Sequence, residues 1–377
     1  MIKIFHFISD TNIGGAGNLL CNQIKNMNDP SFDITVVLPQ GSMLKDKMAT
    51  LPCHLIETAH GADKSFSLDS VIEDYKILKK YRPDIVHSHA SLSSRIAATA
   101  MRIPTRIHTR HCVFPLSPII KNPLGKTVCG VANNILSTKM IAVADSAKEN
   151  LVGMGCSKKK IETVINGSEP IQRLSSAERE ALKAKFSLTK DSFVVSIFAR
   201  LEEYKGHKTF LQAAKICKKY CPDFRFFIVG DGSQKDELQS YARALGLEKA
   251  VLFSGFVSDV APYFNLTDVN VNCSYGTETS SLAISEGMSL GIPAVVSDFG
   301  GNTHMVKNGE DGLVFPTKNA ESLAICLIRL YRDKELYKKM SEKALARYDS
   351  EFTAKAMSDK MAQIYVDEYN KRSALKA

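Results

Sequence analysis

Two carboxylates, Glu278 and Glu286, stand eight positions apart across a polar turn and an apolar stretch, directly before Gly291-Ile292-Pro293 and the strand-like Ala294-Val295-Val296. Carboxylates accept hydrogen bonds from hydroxyl groups, and a helix N-terminus between them would offer amide donors and the positive end of a dipole to a phosphate. Thr279-Ser280-Ser281 favours N-cap and first-turn positions, so a helix is expected from there to about Leu290. At ~1.5 Å rise per residue, Glu286 would lie roughly two turns in, about 10 to 12 Å along the axis from Glu278. A diphosphate at the amides of Thr279, Ser280, Ser281 and Leu282 would then have a sugar near Glu278 and a ribose near Glu286, an order suited to a sugar nucleotide. The same spacing also describes two surface glutamates on an amphipathic helix.

Other groups with chemical potential fall where strand-like runs end. Phe198-Ala199-Arg200 through Lys205-Gly206-His207 leaves a strand and presents two cations before the next helix. Open parallel sheets bind ligands outside the carboxyl ends of their strands, so Arg200 and Lys205 are candidates to neutralise a leaving diphosphate, although such a loop is also commonly just solvated. Asn12-Ile13-Gly14-Gly15-Ala16-Gly17-Asn18 follows the first strand and lets backbone amides approach phosphate, with a plain tight turn as the alternative. It lacks the G-x-G-x-x-G spacing of dinucleotide binders. In Asp84-Ile85-Val86-His87-Ser88-His89 the two imidazoles share one strand face; His87 reads as a satisfied core histidine, and His89, nearer the carboxyl end, as the candidate ligand contact. His108-Thr109-Arg110-His111 ends the next strand similarly, making Arg110 and His111 candidates for acceptor or phosphate contact.

These candidates need a scaffold, and the chain supplies a βα rhythm twice. The first series runs Ile2 to Ile8, Ile34 to Leu38, Ile85 to His87, Arg106 to Thr109, Met140 to Val143 and Thr163 to Ile165, with helices from about Gly17, from Leu68 to Tyr81 and from about Leu92. After a polar stretch from Asn166 to Ser176 it restarts with Phe193 to Phe198, Phe224 to Val229, Val251 to Phe253, Val269 to Asn272, Ala294 to Val296 and Leu313 to Val314. Alternation of this kind predicts an α/β protein of two doubly wound, Rossmann-like parallel-sheet domains, 1–170 and 171–352, with a final helical segment, 353–377, that has no strand after it.

Composition narrows the partners. With 377 residues, 44% hydrophobic and 24% charged, the chain has the make-up of a globular protein, and no apolar run reaches the ~20 residues of a membrane span. The opening Met1 to Ile8 reads as a strand rather than a signal peptide, which favours a cytoplasmic location. Nine scattered cysteines without a C-x-x-C pair read as reduced thiols, not a zinc site. Of the net charge of +9, most lies in residues 1–170, which hold 20 Lys+Arg against 14 Asp+Glu. No acidic residue occurs between Asp84 and Asp145, while Arg95, Arg102, Arg106, Arg110, Lys121, Lys126 and Lys139 do. Such a stretch can attract anionic lipid or a phosphorylated acceptor, or be a solvated face without a partner. Without a basic-aromatic reader motif, nucleic acid is not expected.

Ser274-Tyr275-Gly276-Thr277-Glu278, Glu286-Gly287-Met288-Ser289-Leu290-Gly291-Ile292-Pro293 and Asp298-Phe299-Gly300-Gly301-Asn302 together resemble the signature of retaining family 4 glycosyltransferases. The match is close in the C-terminal half and looser in the N-terminal half. Three departures bear on donor identity: Thr279-Ser280-Ser281 replaces the usual Gly-Phe-Gly, Gly287 the usual alanine, and Thr303-His304 the residues that often follow Gly-Gly-Asn. The resemblance implies a GT-B fold, two domains facing a central cleft and a C-terminal helix crossing back to the first. It implies an N-terminal domain that holds the acceptor and a C-terminal one that holds a nucleoside diphosphate sugar, a UDP-sugar by family frequency. Arg200 and Lys205 would stabilise the diphosphate, Glu286 bind ribose, Glu278 orient the sugar, and the backbone at Phe256-Val257 grip the base. Gly15 would contact donor phosphate or acceptor, and His89 the reacting sugar. A leaving-phosphate oxygen would take the acceptor proton, without metal or other cofactor. The implied reaction is hexosyl transfer to a glycan or lipid-linked acceptor in cell-surface polysaccharide or lipopolysaccharide assembly, peripheral at the inner membrane face. A GT-B sugar-nucleotide epimerase and a non-catalytic sugar-nucleotide-binding protein remain as alternatives.

Overall fold

A computed structural model describes residues 1–12, 14–27, 29–113 and 116–374. The chain divides into two units, Met1–Gly167 with Ala354–Ala377, and Ser168–Thr353.

The first unit is built on a parallel sheet of seven strands: β1 (Ile2–Ile8), β2 (Phe32–Pro39), β3 (His54–Thr58), β4 (Ile85–His89), β5 (Thr105–Arg110), β6 (Lys139–Ala142) and β7 (Ile161–Thr163). Their order is β3-β2-β1-β4-β5-β6-β7. The direction of winding therefore reverses between β1 and β4, the switch point at which parallel sheets open a crevice for ligands. Strands β1 and β2 read as nearly unbroken apolar runs because helices cover both faces of the sheet. On one face Phe5, Phe7 and Val86 pack with Leu78, Ala97 and Ala98 of the helices Leu68–Tyr81 and Leu92–Ala100. The C-terminal helix Ala354–Ala374 belongs to this unit: Tyr365 is fully buried, and its hydroxyl accepts from Gln23 Nε2 at 2.8 Å while Ser358 Oγ donates to the Gln23 carbonyl.

In this unit the sequence reading missed one strand and displaced another. β3 was not anticipated, because it is an edge strand whose His54, Leu55, Ile56 and Glu57 are only partly covered, so the apolar pattern is weak. β7 lies two residues earlier than Thr163 to Ile165.

The second unit carries β8 (Phe193–Phe198), β9 (Phe224–Val229), β10 (Val251–Gly255), β11 (Val269–Asn272), β12 (Ala294–Ser297) and β13 (Gly312–Phe315), all parallel, in the order β10-β9-β8-β11-β12-β13. Its switch point lies between β8 and β11. Phe193, Phe224, Phe226, Val269 and Val295 meet the inner faces of the helices His207–Tyr220 and Ala320–Arg332 in one apolar core. All nine cysteines are free thiols, of which Cys21, Cys156, Cys217, Cys221 and Cys273 are buried.

Candidate active site

In the second unit the loop after β8 and the turn after β11 meet. Glu203–Lys205 form a single 3-10 turn ended by Gly206 at φ +74. A β-carbon on Gly206 would lie 2.2 Å from the Cys273 carbonyl oxygen, and one on Gly276 would lie 2.5 Å from Cβ of Tyr204. These contacts, with the Tyr275 amide donating to the Tyr204 carbonyl at 2.8 Å, fix the lysine against the end of β11. Lys205 Nζ then donates to Glu278 Oε2 at 2.8 Å, and the same oxygen accepts from Ser274 Oγ at 2.8 Å and Asn272 Nδ2 at 3.2 Å. Glu278 is 7% exposed. Burial alone would raise its pKa, but the Lys205 charge and the three hydrogen bonds outweigh it and hold the carboxyl below the usual range. Glu278 is therefore an ionised, oriented acceptor.

The turn carrying Glu278 is supported from below. Gly300 sits at φ +60, where a β-carbon would come 2.4 Å from the Glu278 carbonyl oxygen; on Gly301 it would come 1.4 Å from that of Thr279. The Gly301 amide donates to the Glu278 carbonyl at 3.2 Å. Asn302 Nδ2 donates to Ser297 Oγ, which donates to the Ser274 carbonyl. Arg347, paired with Asp311 at 2.9 Å, donates to the carbonyls of His304 and Met305 and anchors the following turn. Sequence reading had used Gly300-Gly301 only as part of a signature; their physical role is close approach to the Glu278–Thr279 backbone.

The helix after this turn begins later than expected, at Leu282, and ends at Ser289. Ser281 occupies the N-cap position in an extended conformation, yet its hydroxyl makes no capping bond. Thr279 and Ser280 are buried in the turn, and the Ser280 hydroxyl contacts Met305 Sδ at 3.5 Å. Glu286 is thus the fifth helical residue, little more than one turn in rather than two, and is half-buried. Arg200 is exposed at the end of β8 and donates to the Tyr204 hydroxyl at 2.9 Å, which puts both candidate cations around that tyrosine. Phe256, 63% exposed, and Val257 follow β10, with Val257 packed partly on the core near Val229 and Leu266.

In the first unit the candidate histidines join a longer array. His6 on β1 pairs in register with His87 on β4, so their rings project from the same face of the sheet as that of His89. His87 Nδ1 is 2.6 Å from the Tyr365 hydroxyl and Nε2 is 2.6 Å from Thr109 Oγ1, a fully satisfied core histidine. His89 is 1% exposed; its Nε2 is 3.0 Å from His6 Nδ1 and its Nδ1 is 3.0 Å from His111 Nε2. Both nitrogens of His89 are thus engaged and buried, and His111, half-buried, stands at the outer end of the array. Burial pushes His6 down to about 3 and lowers His87 and His89 well below the ordinary histidine value, so the chain is neutral at physiological pH. His6 was missed because it reads as one more residue of a strand.

Ligand nitrogens of His6, His87 and His89 lie within 4.8 Å of one another, close enough to suggest a metal. Those of His87 are spent on Tyr365 and Thr109, and His6 Nδ1 on His89, so a hydrogen-bonded network describes them as they stand.

Arg110 Nη2 donates to Asn150 Oδ1 at 3.1 Å. Gly15 opens the helix Gly15–Asn26, and β-carbons on Gly14 or Gly15 would meet nothing within 4 Å. Gly17 is different: a β-carbon there would lie 2.5 Å from Leu44 Cδ2, so it serves packing. Ile13 of this turn lies outside the described residues. Gly15, His89, Arg110 and His111 thus belong to the first unit, and Arg200, Lys205, Val257, Glu278 to Leu282 and Glu286 to the second.

Residues 178–347 match the family of glycosyl transferases group 1, and residues 13–170 match glycosyltransferase family 4. The chain is 28% identical over 377 residues, 97% of each chain, to an Escherichia coli protein named UDP-Gal:alpha-D-GlcNAc-diphosphoundecaprenol alpha-1,3-galactosyltransferase. It is 26% identical to the putative glycosyltransferase EpsD of Bacillus subtilis over 75% of this chain and 77% of that one. The crystal structure of HepE from Anabaena, in complex with UDP and glucose, superposes with a TM-score of 0.83 at 20% identity, covering 97% of this chain and 100% of that one. With its two parallel-sheet units and both family matches, the chain belongs to the family 4 type of glycosyltransferases with the GT-B fold.

Proposed function

We propose that this enzyme transfers a hexosyl unit, with retention, from a UDP-sugar to a lipid-linked or glycan acceptor in cell-surface polysaccharide or lipopolysaccharide assembly, working in the cytoplasm at the inner membrane face. The carrying observation is the Lys205–Glu278 pair at the carboxyl ends of β8 and β11, beside the N-terminus of the helix Leu282–Ser289, where the Ser281 hydroxyl makes no capping bond. Lys205 and Arg200 take up charge on the leaving diphosphate, aided by the amides from Thr279 to Leu282. Glu278, held ionised, is suited to accept from sugar hydroxyls and ill suited to act as a general acid. A leaving-phosphate oxygen takes the acceptor proton. Glu286 receives the ribose, the backbone at Val257 the base. Because two fixed cations supply positive charge, no metal is required in this scheme. Gly15, Arg110 and His111, with His89 behind it, meet the acceptor. The full-length similarity to an enzyme named for a UDP-galactose donor and a diphosphoundecaprenol-linked acceptor supports both substrate classes.

The test is release of UDP, GDP, ADP or dTDP from a panel of nucleotide sugars, with and without a short-chain polyprenyl-diphosphate GlcNAc acceptor. Acceptor-dependent release of UDP, slowed by about 100-fold in Glu278→Gln, is expected. Donor binding without turnover would support a binding module instead, and a stereochemically altered nucleotide sugar an epimerase.

A further inference from the structure

The helix Pro123–Leu136 turns its apolar residues away from its own domain. Leu124, Val128, Val131 and Ile135 are 74%, 61%, 52% and 57% exposed, and their spacing of four, three and four places them in one stripe. Ile119 of the preceding short helix Pro118–Lys121 is 76% exposed. The inward side is the polar one. Asn133 Oδ1 accepts from Arg95 Nη2 at 2.8 Å, Asn134 Oδ1 accepts from the Ser157 amide at 3.0 Å, and Gly130 packs so closely on Gly155 that a β-carbon would lie 2.3 Å from its carbonyl oxygen. A helix of a globular domain normally buries its apolar stripe, so this inversion needs an apolar partner.

Cations frame the stripe. Lys121 and Lys126 are exposed on the two helices, Lys158 and Lys159 are exposed on the turn tied to Asn134, and Arg106 Nη2 holds the Ile135 carbonyl. Arg95, by contrast, is buried in its bonds to Asn133 and Ser137 and is structural. No acidic residue occurs between Asp84 and Asp145. A two-fold contact between copies of this chain would set these cations against themselves, whereas an anionic lipid surface satisfies apolar stripe and cations together.

We infer that the Pro118–Leu136 face docks this protein on an anionic bilayer, with the longer helix lying in the headgroup plane. This deepens the reading of a lipid-linked acceptor, but its test does not depend on turnover. The full chain, Val128→Asp/Val131→Asp and Lys121→Glu/Lys126→Glu are sedimented with phosphatidylglycerol-containing vesicles and with pure phosphatidylcholine vesicles, after thermal melting confirms that each is folded. Wild type is expected to sediment with the anionic vesicles, and each variant to bind at least about tenfold more weakly. Turnover of a water-soluble acceptor should be unchanged in both. Equal sedimentation of all three proteins would overturn the proposal. So would a wild-type dimer that Val128→Asp/Val131→Asp dissociates, without vesicle binding; that outcome would assign the face to a second copy.

Discussion

The candidate groups of the two units occupy equivalent places in their sheets and use opposite chemistry. Beside the switch point of the first unit, β1 and β4 gather uncharged imidazoles into a hydrogen-bonded chain, His6 to His89 to His111. Beside that of the second, β8 and β11 hold a lysine against a carboxylate. Burial explains the first: desolvation disfavours the protonated form of each ring. Pairing explains the second, since Lys205 and two neutral donors offset the desolvation of Glu278. A neutral chain suits recognition of hydroxyl groups; a pair with spare lysine protons suits a diphosphate. The same topological position can therefore be specialised by what the strand ends carry.

The comparison is broken most severely through backbone. Gly301→Ala forces a β-carbon into the Thr279 carbonyl, and a stability loss of about 3 kcal/mol or failure to fold is expected by thermal and urea denaturation. An unchanged melting temperature would show that the Glu278 turn is free to shift. Next comes the ion pair. Glu278→Gln should cost about 2 kcal/mol of stability and reduce kcat by about 100-fold. A double-mutant cycle with Lys205→Met should show coupling of about 1 to 3 kcal/mol, and additivity would mean that the two groups do not act together.

The pH dependence separates the two sites by window. The folded-state pKa of His6, about 3, lies below the unfolded value, so the unfolded chain binds the extra proton and stability falls as pH drops below about 6.5, by about 1.4 kcal/mol per unit for this ring. His87 and His89 act in the same direction. Glu278 also has a lowered pKa, but as an acid: its contribution is complete above the unfolded value of about 4.3 and is lost only as pH falls through the lower folded value. Urea unfolding of His6→Asn between about pH 4.5 and 6.5 should show a shallower slope than wild type, and Glu278→Gln a slope like wild type. Smaller still, Gly15→Ala adds a methyl group to open space and should change stability by no more than about 0.5 kcal/mol, while raising KM if the glycine amide meets ligand. A chelator should leave the initial rate unchanged; a rate restored only by zinc would assign the histidines to a metal.

Much of the second unit was legible because its strands lie between covered faces, so each appears as an apolar run flanked by turn residues, and the Arg200, Lys205 and Glu278 loops necessarily fall at strand ends. β3 escaped because an edge strand is apolar only where covered. The helix Pro123–Leu136 escaped for the opposite reason: its stripe has the right period, but periodicity does not say whether the apolar side faces a core or the outside.

The local code of this protein is thus determined along the chain: which segments alternate, where turns must interrupt them, and which residues stand at strand ends. Only the tertiary structure decided which groups meet. Glu278 is 73 positions from Lys205, and His6 is 83 from His89. Those pairings arise because β11 inserts beside β8 and β4 beside β1, against chain order. Strand order is set by global packing of sheets and helices, and lateral hydrogen bonding between strands leaves no periodic trace in the sequence of either one.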